Sequence, residues 1–143
     1  MRSKVLFVVF VLGLCGILTT SLQAQTLTAR FNVPFDFVVS GKTMPAGEYA
    51  VGIALNHAGL VEMQSIDAHA TAYAVTRNGE TATKSGPAKL VFHRYGGNYF
   101  LADIDKGDAG SPVLAIPESR AEREAAKTAR LEPIETLTLV AMR

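Results

Sequence analysis

KLVFHRYGGNYFLADID, residues Lys89 to Asp105, is the stretch on which the reading of this chain turns. Two apolar-rich arms flank Gly96-Gly97, a two-residue connection suited to the primed turns whose twist matches paired strands. With that turn, Tyr95 faces Asn98, Arg94 faces Tyr99 and His93 faces Phe100. Side chains alternate across a strand, and cross-strand partners share a face. One face then carries Val91, His93, Tyr95, Asn98, Phe100, Ala102 and Ile104. The other carries Leu90, Phe92, Arg94, Tyr99, Leu101, Asp103 and Asp105. The first is the more apolar and is assigned to the core; the second turns polar toward Arg94 and the two aspartates. A lone hairpin is marginal in water, so the rest of the chain must complete it.

Upstream, Ala29 to Val39 alternates, with Phe31, Val33, Phe35, Phe37 and Val39 on one side and Arg30, Asn32, Pro34 and Asp36 on the other. This is a half-buried strand, and Pro34 marks an edge or a bulge. Ser40-Gly41-Lys42-Thr43 and Met44-Pro45-Ala46-Gly47 supply turn chemistry. Glu48 to Leu55 is a second strand with Tyr49 and Val51 inward. Asn56 to Gly59 reads as a loop, and Leu60 to Ile66 as a third strand with Val61 and Met63 inward. Ala70 to Arg77 is a fourth, with Tyr73 and Val75 inward, closed by an Asn78-Gly79 turn.

Past the hairpin, Val113 to Ile116 is a brief strand. Pro117 to Arg130 is rich in helix formers, with acidic residues early and basic ones late, the order favoured by the helix dipole. Its alanine stripe, Ala121, Ala125 and Ala129, suits a helix lying on a sheet. Ile134 to Met142 alternates again as a closing strand, with Leu137, Leu139 and Ala141 inward. The expectation is an all-β domain: a small antiparallel barrel or sandwich of about seven or eight strands, with one late helix before the last strand.

The chain has 143 residues, the size of one domain. Its start has the layout of a secretory leader. Arg2 and Lys4 precede Val5 to Leu18, an unbroken run of 14 apolar or small residues, and a short polar region ends at Ala24. The run falls short of the roughly 20 residues a membrane-spanning helix needs. Residues 1–24 are thus read as a signal peptide and 25–143 as one β-domain, located in the periplasm or outside the cell. The single cysteine, Cys15, lies in the leader, and Leu14 before it argues against lipid attachment. The exported part carries no cysteine and so relies on its core rather than on disulfides. Without Arg2 and Lys4, 12 of the 14 basic residues remain against 13 acidic ones, which leaves no basic stripe for nucleic acid.

FNVPFDFVVSGKTMPAGEYAV (Phe31 to Val51), KLVFHRYGGNYFLADI (Lys89 to Ile104) and SRAEREAAK (Ser119 to Lys127) resemble a family of small exported bacterial β-proteins. The resemblance implies a shared leader-plus-β architecture. It transfers no activity and no site residue.

Five side chains stand out as candidate ligand-binding residues. Arg94 and Tyr99 share a face with Asp103 and Asp105, and a guanidinium over a ring can hold an anionic or planar ligand. The alternative is an internal Arg–Tyr stack. His93 is either a hydrogen-bonded core histidine or an acid–base group. Asp103, Asp105 and Asp108 near Gly107 miss the calcium-loop spacing, since Leu114 stands where the distant glutamate belongs. His57, His69 and His93 lack zinc spacing. No nucleophile elbow or phosphate loop occurs. No catalytic residue, metal or cofactor is assigned. The functional expectation is a non-enzymatic domain binding a small ligand or an envelope protein. The alternatives are a small hydrolase or isomerase using His93 or Asp103/Asp105, and a self-associating structural component.

Expressed with its leader in a bacterial host, the protein should yield a product beginning at Gln25, checked by intact mass. A product retaining residues 1–24 in the membrane fraction would establish the other reading, an uncleaved anchor.

Overall fold

A computed structural model describes residues 27–53, 59–129 and 135–142. The leader, His57 with its neighbours Asn56 and Ala58, and Ile134 lie outside these residues. Within them the chain forms eleven strands and one helix: β1 (Leu27–Val33), β2 (Phe37–Val39), β3 (Lys42–Met44), β4 (Gly47–Ile53), β5 (Leu60–Ser65), β6 (Thr71–Val75), β7 (Arg77–Thr81), β8 (Lys89–Tyr95), β9 (Asn98–Asp105), β10 (Pro112–Ala115), α1 (Arg120–Thr128) and β11 (Glu135–Val140). The all-β expectation holds, with the helix before the last strand. The barrel alternative does not. Four strands form one open sheet in the order β1-β4-β5-β6, and a seven-stranded sheet runs β11-β8-β9-β10-β7 with β2 on β9 and β3 on β2. Every pairing is antiparallel except β2 with β9. No described helix is long and apolar enough to cross a membrane.

Both sheets contribute to one core. Phe31, Tyr49, Val51, Val61 and Met63 come from the first, and Phe37, Leu90, Phe92, Leu101 and Ile104 from the second. The rings interlock edge to face: Phe37 lies 5.2 Å from Tyr49 across the two sheets and 5.4 Å from Phe92 within its own, and Phe35, in the link between β1 and β2, lies 5.3 Å from Phe92. Such pairs add to the area term, each by about 0.5–1.5 kcal/mol. The chain crosses between the sheets at Thr76, the one residue separating β6 from β7. At the other seam the C-terminal segment bridges them, with the Ala141 N–H donating to Ala88 and the Met142 N–H to Arg30.

Several strands differ from the expectation. Ala29 to Val39 is two strands, not one, because Pro34 interrupts the ladder. Lys42–Met44, read as turn, is β3. Ser40 and Gly41 form its tight turn with φ of 49° and 85°, the double positive φ of a type I′ hairpin. Asn78-Gly79 is not a turn; both lie within β7, where a Cβ on Gly79 would stand 3.1 Å from the Val113 carbonyl oxygen. In β6 the faces are reversed. Ala72 and Ala74 are buried, while Tyr73 and Val75 are 59% and 69% exposed. Leu139 of β11 and Ala141 just beyond it pack on the core, but Leu137 is exposed.

The hairpin itself forms with the expected register at its tip: Tyr95↔Asn98, Arg94↔Tyr99 and His93↔Phe100. Gly96 carries the positive φ of 60°. Below the tip the register shifts. Phe92 pairs with Leu101 but Val91 pairs with Asp103, so Ala102 is an extra residue, a β-bulge. The bulge overturns the face assignment. Leu90, Phe92, Leu101 and Ile104 face the main core. The His93 face lies outside and is covered by α1. Asp103 moves from the Arg94 face to the His93 face.

Phe92 is fully buried among Phe35 and Phe37. Phe92→Ala should cost about 3–5 kcal/mol of stability in urea unfolding. Val75→Ala, on the exposed side of β6, should stay within about 0.5 kcal/mol.

Candidate functional site

The site is assembled from four elements on the outer face of the second sheet. β8 presents His93 outward, because its neighbours Phe92 and Arg94 take the opposite face. The bulge brings Asp103 of β9 to that face. β7 contributes Arg77. The helix α1 contributes Glu122 from its first turn, and Glu118 and Arg123 flank it. The resulting pocket has a volume of about 370 Å³, with Ala102, Ile116 and Pro117 as its apolar part.

Local sequence explains how Glu122 is aimed. Ser119 is the N-cap of α1, and its hydroxyl accepts from the Glu122 N–H at 3.1 Å. The Glu122 carboxylate in turn accepts from the Ser119 N–H. This is a capping box, Ser-x-x-Glu, which satisfies two orphan N–H groups reciprocally. It holds Glu122 Oε1 3.1 Å from His93 Nδ1. The Glu122 side chain is only 5% exposed and that of His93 31% exposed, so the pair runs from the interior to the pocket.

Burial is the main influence on both acids. It raises the Glu122 carboxyl above its ordinary range, opposed by the hydrogen bond and charge of His93. It raises Asp103 as well, opposed by the charge of His93 and reinforced by that of Glu80. The cluster therefore combines a histidine held in orientation by one carboxylate with a second carboxyl that binds its proton more tightly than usual. Chemically it can donate and accept protons, hold a cationic donor between its acids, or meet an anionic group with its guanidinium groups.

Of the five residues singled out by sequence, the structure brings His93 and Asp103 to this pocket and leaves the other three outside it. Arg94 and Tyr99 lie on the opposite face. Arg94 Nε donates to the Gly96 carbonyl at 2.8 Å, and Nη1 donates to Glu135 at 2.7 Å. Its guanidinium carbon stands 5.6 Å from the Tyr99 ring centroid, and Tyr99 stacks on Phe35 at 3.9 Å. This is the internal stack, with Glu135 of β11 as its carboxylate rather than an aspartate of β9. Asp105 accepts from the Gly107 N–H at 2.8 Å and lies 4.0 Å from Lys89, where it anchors the following loop. His69 is exposed, with a positive φ of 49°. No group of described residues forms a metal-binding cluster.

Sequence reading missed Glu122 and Arg77. The alanine stripe pointed to Ala121 as a contact, yet Ala121 is exposed and Glu122 is the buried helix residue. The Ser119-x-x-Glu122 spacing was the available signal.

The sign of the Glu122 effect can be tested. A carboxyl raised by folding favours the native state when protonated. That contribution is present below its ordinary value of about 4.5 and is lost as pH rises through the folded value. Glu122→Gln removes this loss while retaining an acceptor for His93. The melting temperature of the variant relative to wild type should therefore rise as pH goes from about 4 to about 7. A relative fall over that range would mean that the His93 pairing outweighs burial.

Comparison with known proteins finds no matching family model, no matching curated protein and no matching solved structure.

Proposed function

We propose that this protein is an exported, non-enzymatic all-β domain that binds a small polar ligand in the cell envelope, at the pocket of His93, Asp103 and Glu122. The observation that carries the reading is the Glu122 carboxylate, 5% exposed and held 3.1 Å from His93 at the base of a pocket of about 370 Å³. A buried acid is costly unless paired and hydrogen-bonded. Here a capping serine and a histidine both serve it. The volume falls in the range of small-molecule sites, which combine an apolar wall with a few convergent polar groups. The lining carries carboxyl groups from Asp103, Glu118 and Glu122 and guanidinium groups from Arg77 and Arg123. A small zwitterion, such as a free amino acid, matches that mixture: its ammonium meets the acids and its carboxylate the arginines.

Binding is preferred to catalysis because, among the described residues, the lining side chains include no hydroxyl or thiol nucleophile. A second reading keeps one observation in its favour. A histidine oriented by a carboxylate beside an acid of raised pKa is also an acid–base arrangement for a small hydrolase or isomerase.

Calorimetric titration of the purified protein with glycine, L-glutamate and L-arginine is the test. At least one should bind saturably, and Asp103→Asn should weaken that binding about tenfold, the cost of one charge-assisted contact, with an unchanged circular dichroism spectrum. Absence of saturable binding to all three would remove the zwitterion reading. Turnover of an ester or amide abolished by His93→Ala would install the catalytic one.

A further inference from the structure

The charges of the His93 pocket are sorted by depth. Glu122 is buried, and His93 and Asp103 are half-buried. Arg77, Glu118 and Arg123 are exposed at the rim. The base is therefore acidic, and both guanidinium groups stand where water and salt screen them. Arg123 is also engaged locally, its Nη1 donating to the Glu118 carbonyl at 2.8 Å.

The two acids of the base differ in their partners. Glu122 accepts from the Ser119 N–H and meets His93. Among the described residues, Asp103 accepts no hydrogen bond and forms no ion pair. Burial makes it hold its proton more tightly than an ordinary aspartate. A half-buried carboxylate without a donor is costly. A ligand that brings a cationic donor replaces the proton and supplies a charge-assisted hydrogen bond.

We infer that the ligand enters with a cationic nitrogen group, an ammonium or a guanidinium, directed to Asp103 at the base, and that a carboxylate on the ligand is dispensable. The inference rests on the pocket being the binding site proposed above. It goes further in making the two ends of the ligand unequal. The contact with Asp103 forms in a partly desolvated interior, where charges interact strongly. The contact with the rim arginines is an exposed ion pair, which contributes little. Ala102, Ile116 and Pro117 form the apolar wall for the methylene groups that join the ligand's charge to its remainder.

The test is calorimetric titration of the purified protein with L-arginine, agmatine and glutarate. Agmatine keeps the arginine side chain and lacks the carboxylate; glutarate has two carboxylates and no cation. L-arginine and agmatine should bind within about threefold of each other, the span of an exposed ion pair, and glutarate should not bind. Asp103→Asn should weaken both cations about tenfold. Glu124→Gln, on the same helix but outside the pocket, should leave both unchanged. Proton and cation compete at Asp103, so agmatine affinity should fall as pH goes from about 7 to about 5, and fall less in Asp103→Asn. The surrounding groups do not oppose that sign. Protonation of His93 on β8, Glu80 on β7, Glu122 on α1 or Glu118 before it adds to the fall, Arg77 and Arg123 keep their charge, and β10 sets only Ala115 opposite Asp103. Agmatine weaker than L-arginine by about tenfold or more would overturn the inference and leave the zwitterion reading standing. Glutarate binding, or cation binding indifferent to Asp103→Asn, would overturn it as well. Absence of binding by both cations would remove it whatever glycine or L-glutamate does.

Discussion

The bulge at Ala102 is the constraint on which both faces of the β8–β9 ribbon depend. With strict alternation, Leu101, Asp103 and Asp105 would share one side, and a carboxylate would lie against Leu90 in the core. The extra residue restores agreement. Leu101 pairs with Phe92 and Ile104 with Leu90, all four buried, while Asp103 moves outward beside Val91. Burying a side chain such as Ile104 contributes about 1.5–3 kcal/mol. Burying an unpaired carboxyl costs several kcal/mol and would override it. The energetic preference for the bulged register is therefore large compared with the strain of one unpaired ladder position. The position is not left bare either, because the Ala102 carbonyl accepts from the Ile116 N–H.

That same residue ties the ribbon to what covers it. The connector that ends at Ile116 leads into α1, a nine-residue helix whose sheet-facing side is mostly alanine. A helix of this length has little stability alone. What it gains from alanine contacts is small, so its docking relies on the capping box and on Glu122 reaching His93. A structural role alone would be served as well by an apolar residue at 122, since replacing buried polar contacts by hydrophobic ones is often neutral or stabilising. Local choices that run against stability concentrate at functional sites, and Glu122 is such a choice in this helix.

Legibility in the sequence followed the contrast between faces. Phe31 to Val39 and Leu60 to Ser65 alternate between large apolar and polar side chains, and their faces were read correctly. β6 failed because both of its faces carry apolar residues. Tyr73 and Val75 outrank Ala72 and Ala74 on any hydrophobicity scale, yet the alanines are buried. The reason is across the ladder: Ala72 pairs with Met63 and Ala74 with Val61. Large residues of β5 already fill the layer, and small ones opposite them complete it. Asn78-Gly79 misled for a related reason. Its glycine answers the close approach of Val113, not a change of chain direction. Closure or opening of the sheets is set by which strands lack partners, a long-range property invisible to local alternation.

Edge strands are commonly protected by a charge, a proline or a covering loop. β6 has a share of each: Lys42 on the Thr71 carbonyl, Pro117 where β10 would have continued, and the start of α1 alongside. None of them meets the backbone of Tyr73 or Val75. Pro117 lines both the His93 pocket and a groove beside this edge, so one connector shapes the two concave features on either side of the helix start. The constraint that ends β10 is therefore local and covalent, while the opening it leaves is shaped by tertiary packing. A proline that stops a ladder protects its own strand from extension. It cannot protect the strand it no longer pairs with, and that asymmetry is why the exposed edge falls on β6 and not on β10.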